Sequence, residues 1–309
     1  RTLINGTSGD DTIQGTSDDE IINGLDGNDN IYGNGGSDIL NGNAGNDVLW
    51  GGSGNDFING GDGNDNLSGF GGNDNMNGGA GNDYLGNGGG HSLMNGGEGD
   101  DSYWLEYGSG GTTAHITDTS GNDTLTLESF NSILTVNLAG GTVYAGSNNI
   151  ITMDANAIEN VSIERVSNAV TLNGTSADNV LSSWTGNDTL NGGNGNDTLD
   201  GRWGSDTLNG GNGNDTLNIQ AGGTDTMNGG AGDDTFNINM NGSSSDIVTV
   251  SDSSGTDSIN LTNITSGELT FTAIDTNSEG NFDSLQAASH KWHVILNDDV
   301  DNSISDIQR

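Results

Sequence analysis

The sequence predicts an all-β chain in which two arrays of stacked short strands are each followed by a β-rich capping segment. Three observations carry this. A nine-residue phrase recurs without a gap from Gly6 to Trp104 and again from Gly174. Each phrase ends in a polar–apolar–polar triplet, the pattern of a short half-buried strand. The chain has 55 glycines and no proline, so tight turns are cheap and a strand ladder is never interrupted by a missing N–H.

Composition narrows what can hold such a chain together. Of 309 residues only 29% are hydrophobic and 5% aromatic, and the formal net charge is −39. On these figures alone the chain would stay disordered, because too little apolar surface offsets the lost chain entropy. Five basic residues face 44 acidic ones, which makes nucleic acid and anionic membranes poor partners and cations good ones. Cysteine is absent, so no disulfide contributes, and no apolar run approaches a membrane span. The chain opens on Arg1 with no signal-peptide pattern and is read as a fragment or processed product.

The first array divides into eleven units. Its sixth places hold Asp11, Glu20, Asp29, Asp38, Asp47, Asp56, Asp65, Asp74, Asp83, Ser92 and Asp101; its eighth places run from Ile13 and Ile22 to Met94 and Tyr103. The second array has sixth places Asn179, Asp188, Asp197, Asp206, Asp215, Asp225 and Asp234, with one extra residue near Ile219. The six Gly-rich residues of a unit form a turn with converging carbonyls, and the last three a strand with one inward aliphatic side chain. One unit buries almost nothing, so only stacking builds a core. Stacking also piles aspartates into columns that would repel. A hard divalent cation with an oxygen shell removes that repulsion, and calcium, taking roughly 6–8 oxygens, fits carboxylates plus turn carbonyls.

The phrase "GGSGNDFIN" (Gly51–Asn59) resembles the G-G-x-G-x-D-x-U-x nonapeptide of RTX (repeats-in-toxin) proteins, over 18 units in all. The resemblance implies two parallel β-rolls, which are Ca2+-binding β-solenoids with two nonapeptides per turn and ions between loops on the same side. Alternate units then form two rows. In the first array Asp11, Asp29, Asp47, Asp65, Asp83 and Asp101 make a complete row, while Glu20 and Ser92 weaken the other; Asn179 is the weak first member of the second array.

Between the arrays, "ITDTSGNDTLTLESF" (Ile116–Phe130), "VNLAGG" and "AIENV" (Ala157–Val161) resemble a segment of serralysin-type C-terminal domains, and "VSDSSGTDSINL" (Val250–Leu261) repeats the pattern. The expected organisation is a first roll over 1–104, a cap or connector over 105–173, a second roll over 174–237 and a C-terminal cap over 238–309. Asp118 with Asp123, and Asp252 with Asp257, are either loop caps or further calcium ligands.

Catalytic chemistry is not legible. None of the four histidines sits in H-E-x-x-H, and there is no G-x-S-x-G elbow and no cysteine nucleophile. The "HKWH" pair offers two ligands only and reads as a surface pair on a strand. The seventh and ninth places are expected to face solvent. Their Asn and Thr ladders read as bonding along the stack and strand propensity, ahead of a surface for polysaccharide or ice. Tyr32, Trp50, Tyr84 and Trp104 read as packing against a cap or subunit, ahead of sugar stacking.

The expectation is therefore a secreted, non-enzymatic, calcium-folded structural module of a surface-layer protein or adhesin, probing cell-surface components or itself as partners. The resemblance implies export from a bacterium by a type I system. The rival expectations are the RTX appendage of an exported peptidase, lipase or polysaccharide-modifying enzyme, and a carbohydrate- or ice-binding adhesin domain.

Overall fold

The computed structural model describes residues 1–106, 112–118, 120–220, 222–239 and 247–262, and the backbone of strands Thr270–Asp275, Phe282–Ala287 and His293–Asn297. The side chains of the His290/His293 pair lie outside the described residues. Among the described residues all regular structure is β, and no helix is long and apolar enough to cross a membrane. The chain forms two compact units, Arg1–Phe130 with Gly140–Glu164, and Asn131–Ala139 with Arg165–Arg309.

In the first unit two parallel sheets face each other across a narrow core. One contains Thr2–Asn5, Glu20–Asp26, Ile39–Ala44, Phe57–Asp62, Asn75–Ala80, His91–Glu98 and Thr113–Thr117; the other contains Thr12–Gln14, Asn30–Gly35, Val48–Ser53, Asn66–Gly71, Tyr84–Asn87, Ser102–Glu106, Thr124–Glu128 and Asn160–Glu164. Ile22 lies opposite Leu40, and Ile31 opposite Leu49, so partners are 18 residues apart and two nonapeptides make a turn. The second unit repeats this, with Leu190 opposite Leu208 and Leu199 opposite Leu217. The extra residue near Ile219 is absorbed without loss of pairing: Leu217 still meets Phe236.

The strands are longer than the triplet suggests. Asn30–Gly35, for example, covers places seven to nine and then one to three of the next unit. Two backbone positions allow this. The second place has positive φ, as at Gly61 (φ 125), and so does the fourth, as at Gly63 (φ 131). The first reversal lets the strand run on past the core-facing aliphatic residue, and the second closes the turn. Leu25, Asn34, Asn43, Phe70 and Arg202 adopt the left-handed second-place conformation without being glycine.

The core is one file of side chains per sheet. Ile31, Leu49, Leu67, Leu85, Tyr103 and Leu125 form one file, and Ile22, Leu40, Ile58, Met76, Met94 and Ile116 the other, all buried. From the end of each array the first place also turns apolar and buried, at Leu105, Leu127 and Ile163 and again at Ile219 and Ile238, which thickens the core. The segments expected as caps continue these ladders. Tyr103 pairs with Leu125 and Leu125 with Val161; Met227 pairs with Val250 and Phe236 with Ile259. Pairing therefore does not mark a boundary at 105 or 238. Thr142–Ala145 runs antiparallel to Asn148–Met153.

The outward amides behave as expected. Asn41 donates to Asn23 at 2.8 Å, Asn77 to Asn59 at 2.7 Å and Asn209 to Asn191 at 2.7 Å, forming ladders along the stack. Tyr32, Trp50 and Phe70 pack edge to face on successive strands, with ring centroids 5.2 and 5.5 Å apart.

Candidate metal centres

Each sixth-place aspartate follows the turn closed by the fourth-place glycine. Its backbone N–H donates to Oδ1 of the aspartate one turn on: Asp29 to Asp47 at 2.7 Å, Asp47 to Asp65 at 2.8 Å, Asp65 to Asp83 at 2.7 Å and Asp83 to Asp101 at 2.7 Å. The other row runs Asp38 to Asp56 and Asp56 to Asp74. The second array has Asp188 to Asp206 to Asp225 in one row and Asp197 to Asp215 to Asp234 in the other. These aspartates are all buried.

One oxygen of each carboxylate is thus spoken for; the other is not. Oδ2 of Asp29, Asp38, Asp47, Asp56, Asp65, Asp74, Asp83, Asp101, Asp188, Asp197, Asp206, Asp215 and Asp234 is buried without a hydrogen-bond partner. Leaving so many charged oxygens dry and unpaired would be very costly. The first-place glycine shows where they point. A β-carbon on Gly60 would collide with Asp65 Oδ2 and lie 2.7 Å from the Gly78 carbonyl oxygen. Gly42, Gly78 and Gly210 have the same surroundings, with the next turn's carbonyl at 2.6 Å in each case. A carboxylate oxygen and a carbonyl oxygen from successive turns therefore converge on one small space. An all-oxygen donor set without nitrogen or sulfur suits a hard cation, and the residues present fit calcium.

Electrostatics point the same way. Burial, aided by neighbouring carboxylates, pushes Asp38, Asp56 and Asp65 up to about 6 and Asp83, Asp101, Asp123, Asp197 and Asp206 up to about 7. Asp29, Asp47, Asp74, Asp188, Asp215, Asp234 and Asp257 move in the same direction, chiefly through burial. A column of acids that resists ionisation on its own is one that a divalent ion would stabilise.

The rows start and finish differently from their interiors. Asp11 is only half-buried, and its Oδ2 accepts from Thr7 N–H at 2.5 Å and Thr7 Oγ1 at 2.9 Å. Glu20 is held likewise by Thr16, at 3.0 and 2.6 Å, and Asn179 Oδ1 by Thr175, at 2.7 and 3.1 Å. The three phrases are "GTSGDD", "GTSDDE" and "GTSADN", in which Thr replaces the second-place glycine. Ser92, expected as a weak member, hydrogen-bonds Asn87 Oδ1 at 3.3 Å, and Asn87 stands in the first place where glycine would be.

At the far ends the row acids of the flanking segments join the columns. Asp101 N–H donates to Asp123 Oδ1 at 2.7 Å, and Asp234 N–H to Asp257 Oδ1 at 2.8 Å. Asp118 and Asp252 complete two three-carboxylate groups, Asp101/Asp118/Asp123 and Asp234/Asp252/Asp257, whose nearest oxygens lie within 4.8 Å of one another. Glu159, passed over in the sequence, accepts from Asp123 N–H at 2.9 Å and carries the first column one step further. Its signal is present but faint, one acid inside "AIENV". Also passed over was the fifth place, whose amide accepts from the backbone one turn on, as Asn46 does from Asn64 N–H at 2.7 Å.

A parallel β-solenoid whose turns carry columns of inward aspartates defines a class of repeat protein built around cations. Residues 3–31, 14–49, 50–85, 171–199, 185–217 and 221–237 match the family described as RTX calcium-binding nonapeptide repeat (4 copies), so these stretches carry calcium-binding repeats of the RTX type. Comparison with curated proteins finds no match.

Proposed function

We propose that the chain is a calcium-folded structural module of an exported bacterial protein, standing at the cell surface or outside the cell. The single observation carrying this is the file of buried Oδ2 atoms without hydrogen-bond partners. Calcium at Asp29 to Asp101, Asp38 to Asp74, Asp188 with Asp206, and Asp197 with Asp215 and Asp234 would pair them; Asp123, Asp225 and Asp257 extend the columns, and Asp11 begins one. With so little apolar surface, bound ions supply folding energy that a larger core supplies elsewhere. Extracellular-type sites have dissociation constants of about 10⁻⁴–10⁻³ M. At tenfold excess one such site stabilises by about 1.4 kcal/mol, and roughly a dozen by more than 10 kcal/mol, which is the scale of a whole domain's stability. Low cytosolic calcium would keep the chain open for a type I exporter, and external calcium would fold it in a surface-layer protein or adhesin.

The test is circular dichroism during a calcium titration. At pH 8 a cooperative coil-to-β transition reversed by EDTA is expected, and a β-rich spectrum in EDTA at that pH would overturn the proposal. A second reading, contact with a neutral polysaccharide, has one observation in its favour: Trp50 and Phe70 pack together yet remain about 40% exposed. Glycan-array binding that disappears in Trp50→Ala would support it.

A further inference from the structure

Asp118 and Asp252 are not loop residues of arbitrary position. Counted back five places from Asp123 and Asp257, each occupies the first place of a nonapeptide, "DTSGNDTLT" and "DSSGTDSIN". The fourth places keep their glycines in the same strained turn, at Gly121 (φ 150) and Gly255 (φ 138). Tyr103 meets Leu125 and Phe236 meets Ile259 at offsets of 22 and 23 instead of 18. The fold is that of a repeat unit; only the first-place residue has changed, from glycine to aspartate.

That change alters the donor set. In the interior, the space beside Gly210 is bounded by Asp215 Oδ2 and the Gly229 carbonyl oxygen. One turn on, the space beside Gly229 is bounded by Asp234 Oδ2 and, at 2.8 Å, by Asp252 Oδ1. A charged oxygen has replaced a neutral one. Asp252 Oδ1 is fixed by Gly230 N–H at 3.0 Å. In the first array the corresponding space, beside Gly96, meets Asp101 Oδ2 and the Tyr103 hydroxyl, which itself donates to Asp118 Oδ2. In both arrays the buried row aspartate, Asp101 or Asp234, keeps an Oδ2 without a hydrogen-bond partner beside the added acid.

On the calcium-repeat reading above, we propose that Asp101/Asp118/Asp123 and Asp234/Asp252/Asp257 form a separate class of cation site, the tightest in the chain and the one that takes trivalent ions. An interior cation would meet row carboxylates and a neutral first-place carbonyl, whereas at these two places a third carboxylate, Asp118 or Asp252, joins the donor set. Ligand charge is the main lever on calcium affinity in oxygen sites, and it favours trivalent over divalent ions more strongly still.

The experiment is a calcium titration of the full chain against a chromophoric chelator, with folding at saturating calcium checked by circular dichroism. Two equivalents should bind about tenfold or more tightly than the rest. Asp252→Asn should remove one tight equivalent and Asp118→Asn the other, while Asp62→Asn, at an exposed position outside the rows, leaves both. A single affinity class with full stoichiometry, or tight binding that survives both Asn changes, would overturn the proposal and leave the repeat reading intact. Absence of any calcium binding would bring down the repeat reading itself. Should an Asn variant not fold, the unaltered chain decides: about two equivalents of terbium should remain bound after gel filtration in excess calcium, and retention of none or of one per repeat is the contrary result.

Discussion

Glycine at the first place of the repeat shows how one missing atom makes room for chemistry. Gly60 has ordinary backbone angles, so its need for glycine is spatial: a β-carbon would fill the gap where Asp65 Oδ2 and the Gly78 carbonyl converge. Gly71, at a third place, has only the Gly52 carbonyl nearby, at 3.7 Å. Gly60→Ala should therefore cost about 2 kcal/mol in saturating calcium and weaken binding, whereas Gly71→Ala should be neutral or stabilise by up to about 1 kcal/mol by reducing unfolded-state freedom. Thermal melts in calcium would show the contrast, and equal losses at both positions would refute the spatial argument. The first place was hidden in the sequence because glycine is common throughout the unit. What identifies it is its later variation: it becomes Leu105, Leu127 and Ile238, where no acid follows five residues on, and Asp118 or Asp252, where one does. The sixth and eighth places were legible at once, because only there does the unit demand a particular chemistry.

At the scale of the strand and the row, the two-unit turn came from the resemblance to RTX repeats and matches the 18-residue pairing, while strand length was misjudged as three residues. Hydropathy sees only the aliphatic eighth place; the further extension uses glycine and asparagine, which carry no apolar signal. Row endings were legible as defects but not as structures. Ser92 looked like a lost ligand, yet Asn87 changed with it: its amide accepts from Gly89 N–H and Ser92 Oγ and donates to the Thr113 carbonyl. Hydroxyl and amide close the row without a charge. Ser92→Asp alone should therefore bury an unpaired carboxylate and destabilise by about 1–3 kcal/mol or more. Asn87→Gly with Ser92→Asp should restore the cradle and bind one ion more than the unaltered chain. Isothermal titration calorimetry would count the ions, and an unchanged count in the folded double variant would show that more than these two positions closes the row.

For the molecule as a whole, protons and calcium compete for the same carboxylates, and their effects on stability have opposite signs. In EDTA the folded chain holds many buried aspartates whose protonation midpoints have risen from 3.8 to about 6 or 7, as at Asp56 and Asp101. Unfolding returns them to the ordinary value, so between about pH 4 and pH 7 the folded state binds more protons than the unfolded state. Stability without calcium is then fully present below about pH 4 and is lost as pH rises through 6 and 7. With calcium the ionised carboxylates are the binding form, so stability rises over the same interval as protons are displaced. The two trends should cross: in EDTA the β content seen by circular dichroism is higher at pH 5.5 than at pH 8, whereas in millimolar calcium the urea midpoint is higher at pH 8. The net charge of −39 reinforces the first trend, since self-repulsion of the bare chain grows with every proton lost. A calcium-free chain that became more stable toward pH 8 would mean that the buried columns do not resist ionisation, and the physical case for a cation between the turns would lose its main electrostatic support.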